Sequence, residues 1–286
     1  MKIKIQFLII LISIFFSFGV CSKEVQKSCD ELLANDQYED ALKTKKDEYK
    51  SVLCHGKTNL RLSNFEEALK DFKLADKLAK SDTDRIMADL LFGMTLKEAK
   101  NIDQALLHFK NSYTSLKLFK PFKRLYLIQI GETLLLLSNY EEAANTFLEA
   151  YGLASNTDER AINLDRVAFS YASVKNFSKA IEYQIKANLA FEKAGLLSEY
   201  AESGINLALY YLESNDLTSA ERILLKFEKF TRENEGMYYL SKVLFVESKY
   251  YKKKSNMDLY KAKLDEANKI ADEIGAEDLK ILFKDI

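Results

Sequence analysis

The sequence has one proline and nine glycines in 286 residues, and it contains no tryptophan. Folds built from short strands and tight turns need many more glycines and prolines than this. Leu, Ala, Glu and Lys, which favour helices, are abundant instead, and 48% of the residues are apolar. A chain of this length and composition can bury a large core, so the sequence predicts an all-α protein.

The chain also lacks an excess of either charge. Its 42 basic and 43 acidic residues give a net charge of −1. Such a balance provides no long-range attraction for a phosphate backbone or for an anionic membrane surface. We therefore expect no nucleic-acid partner, and we expect contact with a membrane only through an N-terminal anchor.

The residue patterns of catalytic and metal sites are absent from the sequence. The two histidines, His55 and His108, do not occur in a metal-ligand spacing such as HExxH. No glycine-rich phosphate loop and no nucleophile elbow is found. Adjacent acidic pairs such as Glu66 and Glu67 occur where predicted helices begin, and negative charge there complements the helix dipole. The sequence therefore predicts a protein that is not an enzyme and that has no cofactor or metal.

The first 21 residues, MKIKIQFLIILISIFFSFGVC, form a separate segment. Two lysines precede a mostly apolar run from Phe7 to Phe16, and small residues follow, which is the layout of a secretory signal peptide. The uncharged stretch is shorter than the ~20 residues that a spanning helix needs. We therefore predict an exported protein, periplasmic or anchored in the cell envelope; release into the medium is the less favoured alternative.

The end of this segment, Phe18-Gly19-Val20-Cys21, is similar to a bacterial lipoprotein signal, whose acylated cysteine becomes the first mature residue. The similarity implies lipidation of Cys21, although Val20 stands where a small residue is usual. Simple cleavage of the signal and an uncleaved anchor are the alternatives.

The remaining cysteines, Cys29 and Cys54, form an even pair once Cys21 is acylated or removed. An unpaired thiol is a liability in an oxidising compartment, so an even number favours pairing. We predict a disulfide between Cys29 and Cys54 that fixes an N-terminal cap. The alternative is two buried free thiols that behave as small apolar side chains.

A repeated pattern fills most of the chain, and LSNFEEALKDF at 62–72 returns as LSNYEEAANTF at 137–147. Six copies align at intervals of 37 to 40 residues on the marker positions Ala68, Ala105, Ala143, Ala180, Ala220 and Tyr260. A small residue stands 12 positions before each marker, and most copies have large apolar residues three positions before and four after it. Because residues three and four apart share a helix face, each copy predicts a hairpin of two helices.

Asparagines mark the turn of each predicted hairpin. They stand four residues before five of the markers and five residues before the other, at Asn64, Asn101, Asn139, Asn176, Asn215 and Asn256. Asparagine tolerates the left-handed conformation in which many helices end. We therefore predict that the first helix of each hairpin ends at its asparagine.

This combination resembles the tetratricopeptide repeat (TPR) family over Tyr49 to about Ile274. The period is three to six residues longer than the usual 34, and no copy has the early tryptophan or the closing proline of that family. The resemblance implies an all-α, right-handed superhelical solenoid of about six helix-turn-helix repeats over 49–286. A signal peptide over 1–21 and capping helices over 22–48 would precede it.

In TPR proteins the first helix of each pair lines a concave groove. The resemblance places there the residues seven, eleven and fifteen positions before each marker. The central positions, our candidate partner-binding residues, are Met94, Ile128, Glu132, Asp165, Phe169 and Leu209. A mostly apolar groove suits an extended or helical segment of another protein, whereas packing of helix against helix is the alternative for any single position.

We interpret the chain as an exported interaction scaffold, in the role of an envelope assembly factor, that binds a protein or peptide partner. The alternative is a sensory module that binds a small ligand or peptide and acts with a separate signalling protein. Stable co-purification of a partner favours the scaffold, whereas compaction on ligand binding favours the sensor.

Overall fold

The computed structural model of the protein describes residues 27–115 and 118–284. The predicted leader over 1–21, including Cys21, lies outside these ranges. The regular structure within them is helical. The helices are α1 Cys29–Ala34, α2 Tyr38–Lys43, α3 Tyr49–Arg61, α4 Phe65–Leu78, α5 Asp82–Glu98, α6 Ile102–Ser115, α7 Lys120–Leu136, α8 Tyr140–Gly152, α9 Thr157–Ser173, α10 Phe177–Ala194, α11 Leu197–Glu213, α12 Leu217–Glu233, α13 Met237–Lys253, α14 Met257–Glu273 and α15 Glu277–Leu282.

From α3 to α14 the helices pack in consecutive pairs, which form six hairpins, and each hairpin packs against the next. The predicted all-α stack of helical hairpins is therefore confirmed. The five marker alanines all lie on the second helices of their hairpins, and none exposes any surface. Among the described helices, none is both long and apolar enough to cross a bilayer.

Glycines on the first helices receive aromatic rings from the second helices. A Cβ built on Gly131 would lie 2.5 Å from Cε1 of the buried Phe147, so only glycine leaves room for the ring. The predicted small residue thus contacts the aromatic four positions after the marker. In the fifth hairpin the contact is displaced along both helices, and Gly204 rather than Ala208 receives Phe227. The same contact joins Gly56 with Phe72 and Gly93 with Phe109.

The prediction that the turn asparagines adopt the left-handed conformation is wrong at five of the six turns. Only Asn215 has a positive φ, and elsewhere the residue before the asparagine has it: Ser63, Lys100, Ser138, Lys175 and Ser255. In the first hairpin the N–H of Asn64 donates to the carbonyl of Asn59 at 2.8 Å, while the carbonyl of Asn64 accepts from Ala68 at 3.0 Å. Asn64 therefore closes α3 and begins α4, and the left-handed residue comes one position earlier.

Two large apolar clusters fill the interior of the stack. One joins the second and third hairpins around Phe109, Tyr126 and Phe147, and the other joins the last three hairpins around residues such as Phe227 and Leu244. Because each hairpin buries its apolar face against its neighbours, the first helices are held side by side along one surface.

The short helices α1 and α2 lie within the segment predicted to cap the stack, and they pack on α3. A disulfide joins Cys29 on α1 to Cys54 on α3, whose Cα atoms are 6.1 Å apart. Both cysteines are buried together with Leu32 and Ala41. We call α1 and α2 the cap.

Candidate partner-binding surface

Ion pairs cross between the first helices of the second, third and fourth hairpins. The carboxylate of Glu132 on α7 accepts from Nζ of Lys97 on α5 at 3.0 Å and from Nη2 of Arg166 on α9 at 2.7 Å. The Glu132 side chain is only 30% exposed, so water screens these contacts less than it screens surface ion pairs. These ion pairs show that α5, α7 and α9 contribute side chains to one shared surface.

Two large apolar side chains lie exposed beside this network. Leu136 follows Glu132 by one turn on α7, and Phe169 follows Arg166 by three residues on α9. Because the antiparallel α8 separates them, α7 and α9 run in the same direction, and both side chains lie on the same side of the ion pair. Leu136 is 60% exposed and Phe169 is 49% exposed. We call Glu132, Leu136, Arg166 and Phe169 the central groove.

Ile128 is not a surface residue, and its predicted role in the groove is wrong. The side chain is 9% exposed and belongs to a buried cluster with Leu127 and with Ala150 of α8. At this position, 15 residues before the marker, α7 faces α8, the second helix of the same hairpin. Ile128 therefore packs helix on helix, the alternative that the sequence left open.

Asp165 is a largely enclosed carboxylate. It accepts from Nε2 of Gln184 at 2.7 Å, and the same nitrogen donates to Oγ of Ser203 at 2.7 Å. Burial raises the pKa of Asp165 above its usual range. A recess of about 190 Å³ beside it is also lined by Glu202 and Tyr239. The Asp165 carboxylate therefore connects α9 to α10, and through Gln184 to α11, and offers a partner little surface.

Met94 lines a cleft between the cap and the first helices of the first two hairpins. The cleft has a volume of about 930 Å³. We call it the N-terminal cleft. Its lining combines apolar side chains, the two cations Lys57 and Arg61, and three carboxylates, Asp30, Asp36 and Glu98. The sequence pattern missed the contribution of the cap, because groove positions were counted from repeat markers and the cap lies outside the six aligned copies.

Comparison with known proteins identifies the architecture. No family model and no curated protein matches the sequence. Apo RapI superposes with a TM-score of 0.64 at 12% identity, over 86% of this chain and 81% of RapI. Aspartyl phosphate phosphatase F from Bacillus subtilis gives 0.63 at 18%, over 88% and 67%. A putative kinesin light chain of TPR-like repeats from Podosopora anserina gives 0.55 at 11%, over 65% and 95%.

The chain is a TPR-like repeat solenoid. At these identities the likeness concerns the fold, and what each neighbour binds or acts on belongs to that neighbour.

Leu209 of the TPR-like solenoid lies on α11, the first helix of the fifth hairpin. It lines a pocket of about 370 Å³ together with Leu212 and three lysines of α13. One of these lysines, Lys253, donates to the backbone carbonyl of Leu212, where a positive charge complements the end of α11. The predicted residues Met94, Asp165 and Leu209 thus line three separate clefts.

The two histidines of the solenoid have structural surroundings. His55 is buried, which lowers its pKa, and its Nε2 lies 3.0 Å from Oγ1 of Thr44. Burial favours the neutral form of His108, but the hydrogen bond and charge of Asp89 outweigh it and raise the pKa of His108. Within the described ranges, no three His, Cys, Asp or Glu side chains gather closely enough to hold a metal ion.

Proposed function

We propose that this TPR-like solenoid is an interaction scaffold that binds a segment of another protein in its central groove and catalyses no reaction. The observation that carries the proposal is the exposed pair Leu136 and Phe169 on the shared face of α7 and α9. Exposed apolar side chains that cluster within a polar frame are typical of interaction sites. A neighbour of the same fold, a Rap protein, was solved in complex with competence and sporulation factor (TM-score 0.54, 14% identity).

The energetics define what such a partner must offer. Full burial of a Leu or Phe side chain contributes about 1.5–3 kcal/mol, so covering two half-exposed ones contributes about 2–3 kcal/mol. Micromolar affinity requires about 8 kcal/mol. A partner must therefore contact more of the first-helix surface than Leu136 and Phe169. The charges of Glu132 and Arg166 beside the apolar pair would determine where along the central groove the partner segment binds.

Photo-crosslinking in the native cell tests the central groove. A photoreactive amino acid replaces Leu136, and in a control it replaces Leu107, which is 62% exposed on the second helix α6. We expect position 136 to crosslink one or a few proteins that position 107 does not. Phe169→Glu should reduce capture of those proteins at least tenfold, and Leu107→Glu should leave it unchanged. Equal capture by wild type and Phe169→Glu would exclude the central groove as the site.

We further propose that the protein is exported, held in the envelope through Cys21, and acts there as an assembly factor. The leader sequence supports export, and so does the disulfide between the two cysteines beyond the leader, because such bonds persist in oxidising compartments. Metabolic labelling with an alkyne fatty acid tests the anchor. We expect label on the wild type and none on Cys21→Ser. An unlabelled wild type would exclude lipidation of Cys21, and the alternatives would then be simple cleavage of the signal or an uncleaved anchor.

A further inference from the structure

A pocket lies between α11 and α13, the first helices of the last two hairpins. Its volume of about 370 Å³ is near the lower end of the range for ligand sites and suits one or two side chains. Leu209 and Leu212 of α11 form its apolar lining, and it shares no residue with the central groove. The charged residues that line it are Glu213 of α11 and Lys249, Lys252 and Lys253 of α13. We call it the C-terminal pocket.

Aromatic rings order two of these lysines without neutralising them. Nζ of Lys249 lies 4.6 Å from the centroid of the Phe245 ring, and Nζ of Lys252 lies 5.5 Å from that of the Tyr260 ring. A ring attracts a cation through its quadrupole but carries no net charge, so each lysine keeps its full positive charge. Because both side chains are already held in place, binding a ligand costs them less conformational entropy.

The charges of the pocket do not cancel. Among the described residues, no carboxylate lies within 4 Å of the ammonium group of Lys249, Lys252 or Lys253. Glu213 is the acidic residue of the lining, and it is exposed at the end of α11. Three positive charges and one negative charge leave the lining with a net charge of +2. The pocket is therefore complementary to an anion, although its complementarity is reduced by one carboxylate.

The apolar part of the lining narrows the class of anion. Leu209 and Leu212 gain stability only if the ligand covers them with an apolar group. A nucleic-acid phosphate backbone offers no such group beside its charges, and the net charge of −1 on the whole chain gives it no long-range attraction. A peptide that carries an apolar side chain next to a carboxylate satisfies both parts of the lining.

We propose that the C-terminal pocket is a second binding site and that it takes an acidic peptide segment in which carboxylates flank an apolar side chain. The apolar side chain packs against Leu209 and Leu212 of α11. The carboxylates of the segment pair with the ordered ammonium groups of Lys249 and Lys252. Glu213 repels these carboxylates and so lowers the affinity of the site.

Fluorescence polarisation on the full chain tests the ligand chemistry. Each peptide carries a neutral dye at its N-terminus and an amide at its C-terminus, so that side chains alone supply the charge. The acidic probe is Gly-Ser-Leu-Glu-Phe-Glu-Leu-Ser-Gly. A basic control has lysine in place of both glutamates, and a polar control keeps the glutamates but has serine in place of the two leucines and the phenylalanine.

We expect the acidic probe to bind at least tenfold more tightly than either control peptide. Equal binding of the acidic probe and the polar control would show a general polyanion patch, of the kind that phosphate groups of nucleic acid or lipid occupy, and would overturn the peptide assignment. Equal binding of the acidic and basic peptides, or binding of no peptide, would overturn it as well.

Charge variants test the location of the site. Lys249→Gln/Lys252→Gln should bind the acidic probe about tenfold more weakly. The control Lys50→Gln/Lys73→Gln, which removes two exposed lysines of α3 and α4 outside the pocket, should bind it as the wild type does. Glu213→Gln should bind it roughly two- to fivefold more tightly, because one like charge is removed. Unchanged affinity in the first variant would exclude the pocket, and the absence of a gain in Glu213→Gln would contradict the charge balance assigned to it.

Leu136→Ser separates the C-terminal pocket from the central groove. The variant should bind the acidic probe as the wild type does, because Leu136 lies on α7 and does not line the pocket. Loss of probe binding in Leu136→Ser would place the peptide in the central groove and overturn the second site. Failure of the native-cell crosslinking at position 136 would leave the probe measurements unaffected.

Discussion

The backbone of Gly131 on α7 packs directly against the aromatic ring of Phe147 on α8. The ring of Phe147 is fully buried, and a Cβ on Gly131 would lie 2.5 Å from its Cε1 and 2.6 Å from its Cζ. Both distances are far below an ordinary carbon contact of about 3.5–4.0 Å. The closest approach between α7 and α8 therefore depends on the absence of a side chain at position 131.

Gly131→Ala should destabilise the third hairpin. The added methyl group forces a buried ring to move, and overpacking of this kind costs about 1–3 kcal/mol. The control is Gly152→Ala near the end of α8, where a Cβ would have no neighbour within 4 Å. That change should be neutral, or stabilising by up to about 1 kcal/mol through helix propensity. Thermal unfolding of both variants checks the contrast, and equal midpoints would refute the packing account.

Glu132→Gln should weaken the coupling between the second, third and fourth hairpins. The amide keeps the shape of the side chain but removes the charge shared by Lys97 and Arg166. We expect a loss of about 1 kcal/mol, and the loss should shrink at high salt. Glu182→Gln is the control, because its pair with Lys186 is about half exposed on α10 and should contribute less than about 0.5 kcal/mol. Urea unfolding at low and high salt measures both.

The buried carboxylate of Glu247 should make stability fall as the pH rises. Burial raises its pKa to about 7, even though Nζ of Lys263 lies 2.6 Å away. Between about pH 4.5 and 7 the folded chain holds this proton while the unfolded chain releases it, so ionisation costs stability progressively as pH increases. The cost is up to about 3 kcal/mol and is complete above pH 7.

Glu247→Gln should remove this cost. Lys263 keeps Glu228 at 3.2 Å, so the variant does not leave the ammonium without a partner. We expect a gain of about 1–3 kcal/mol at pH 8 and little change at pH 5. Urea unfolding at both pH values checks this, with the exposed Glu141→Gln as control. A variant with the same pH dependence as the wild type would contradict the assignment.

Reduction of the disulfide should release the cap from α3 while the stack of hairpins stays folded. The bond joins residues 25 positions apart, and closing a loop of that length in the unfolded chain corresponds to about 3.5 kcal/mol. Hydrogen exchange with mass spectrometry should show faster exchange over 29–43 after reduction, and little change over α7 and α8. Uniform acceleration along the whole chain would show that the bond supports the entire stack.

The helices and their pairing could be predicted from the sequence because burial imposes a period on apolar residues. Ala68 and Phe72 lie four apart and face inward together, as the repeat pattern requires. The asparagines predict the left-handed residue of each turn to within one position, but the first helices end two or three residues before them. The difference arises because the backbone of Asn64 closes one helix from outside its last turn and also begins the next helix.

The binding surface was less predictable. Phe169 lies exposed on a first helix whereas Ile128 is buried, because periodicity does not show how far the second helix of a hairpin covers the first. The N-terminal cleft was not foreseen. Its cap wall comes from a segment outside the aligned repeats, and a bond between residues 25 apart joins that segment to α3.

The disulfide also determines how the molecule bears tension. A pull applied on the N-terminal side of Cys29 reaches the stack at Cys54, in the middle of α3, and bypasses the residues between them. The residues between the two cysteines then carry no load, and α3 is loaded from its middle. After reduction the same pull passes through the cap and reaches α3 at its first residue, Tyr49.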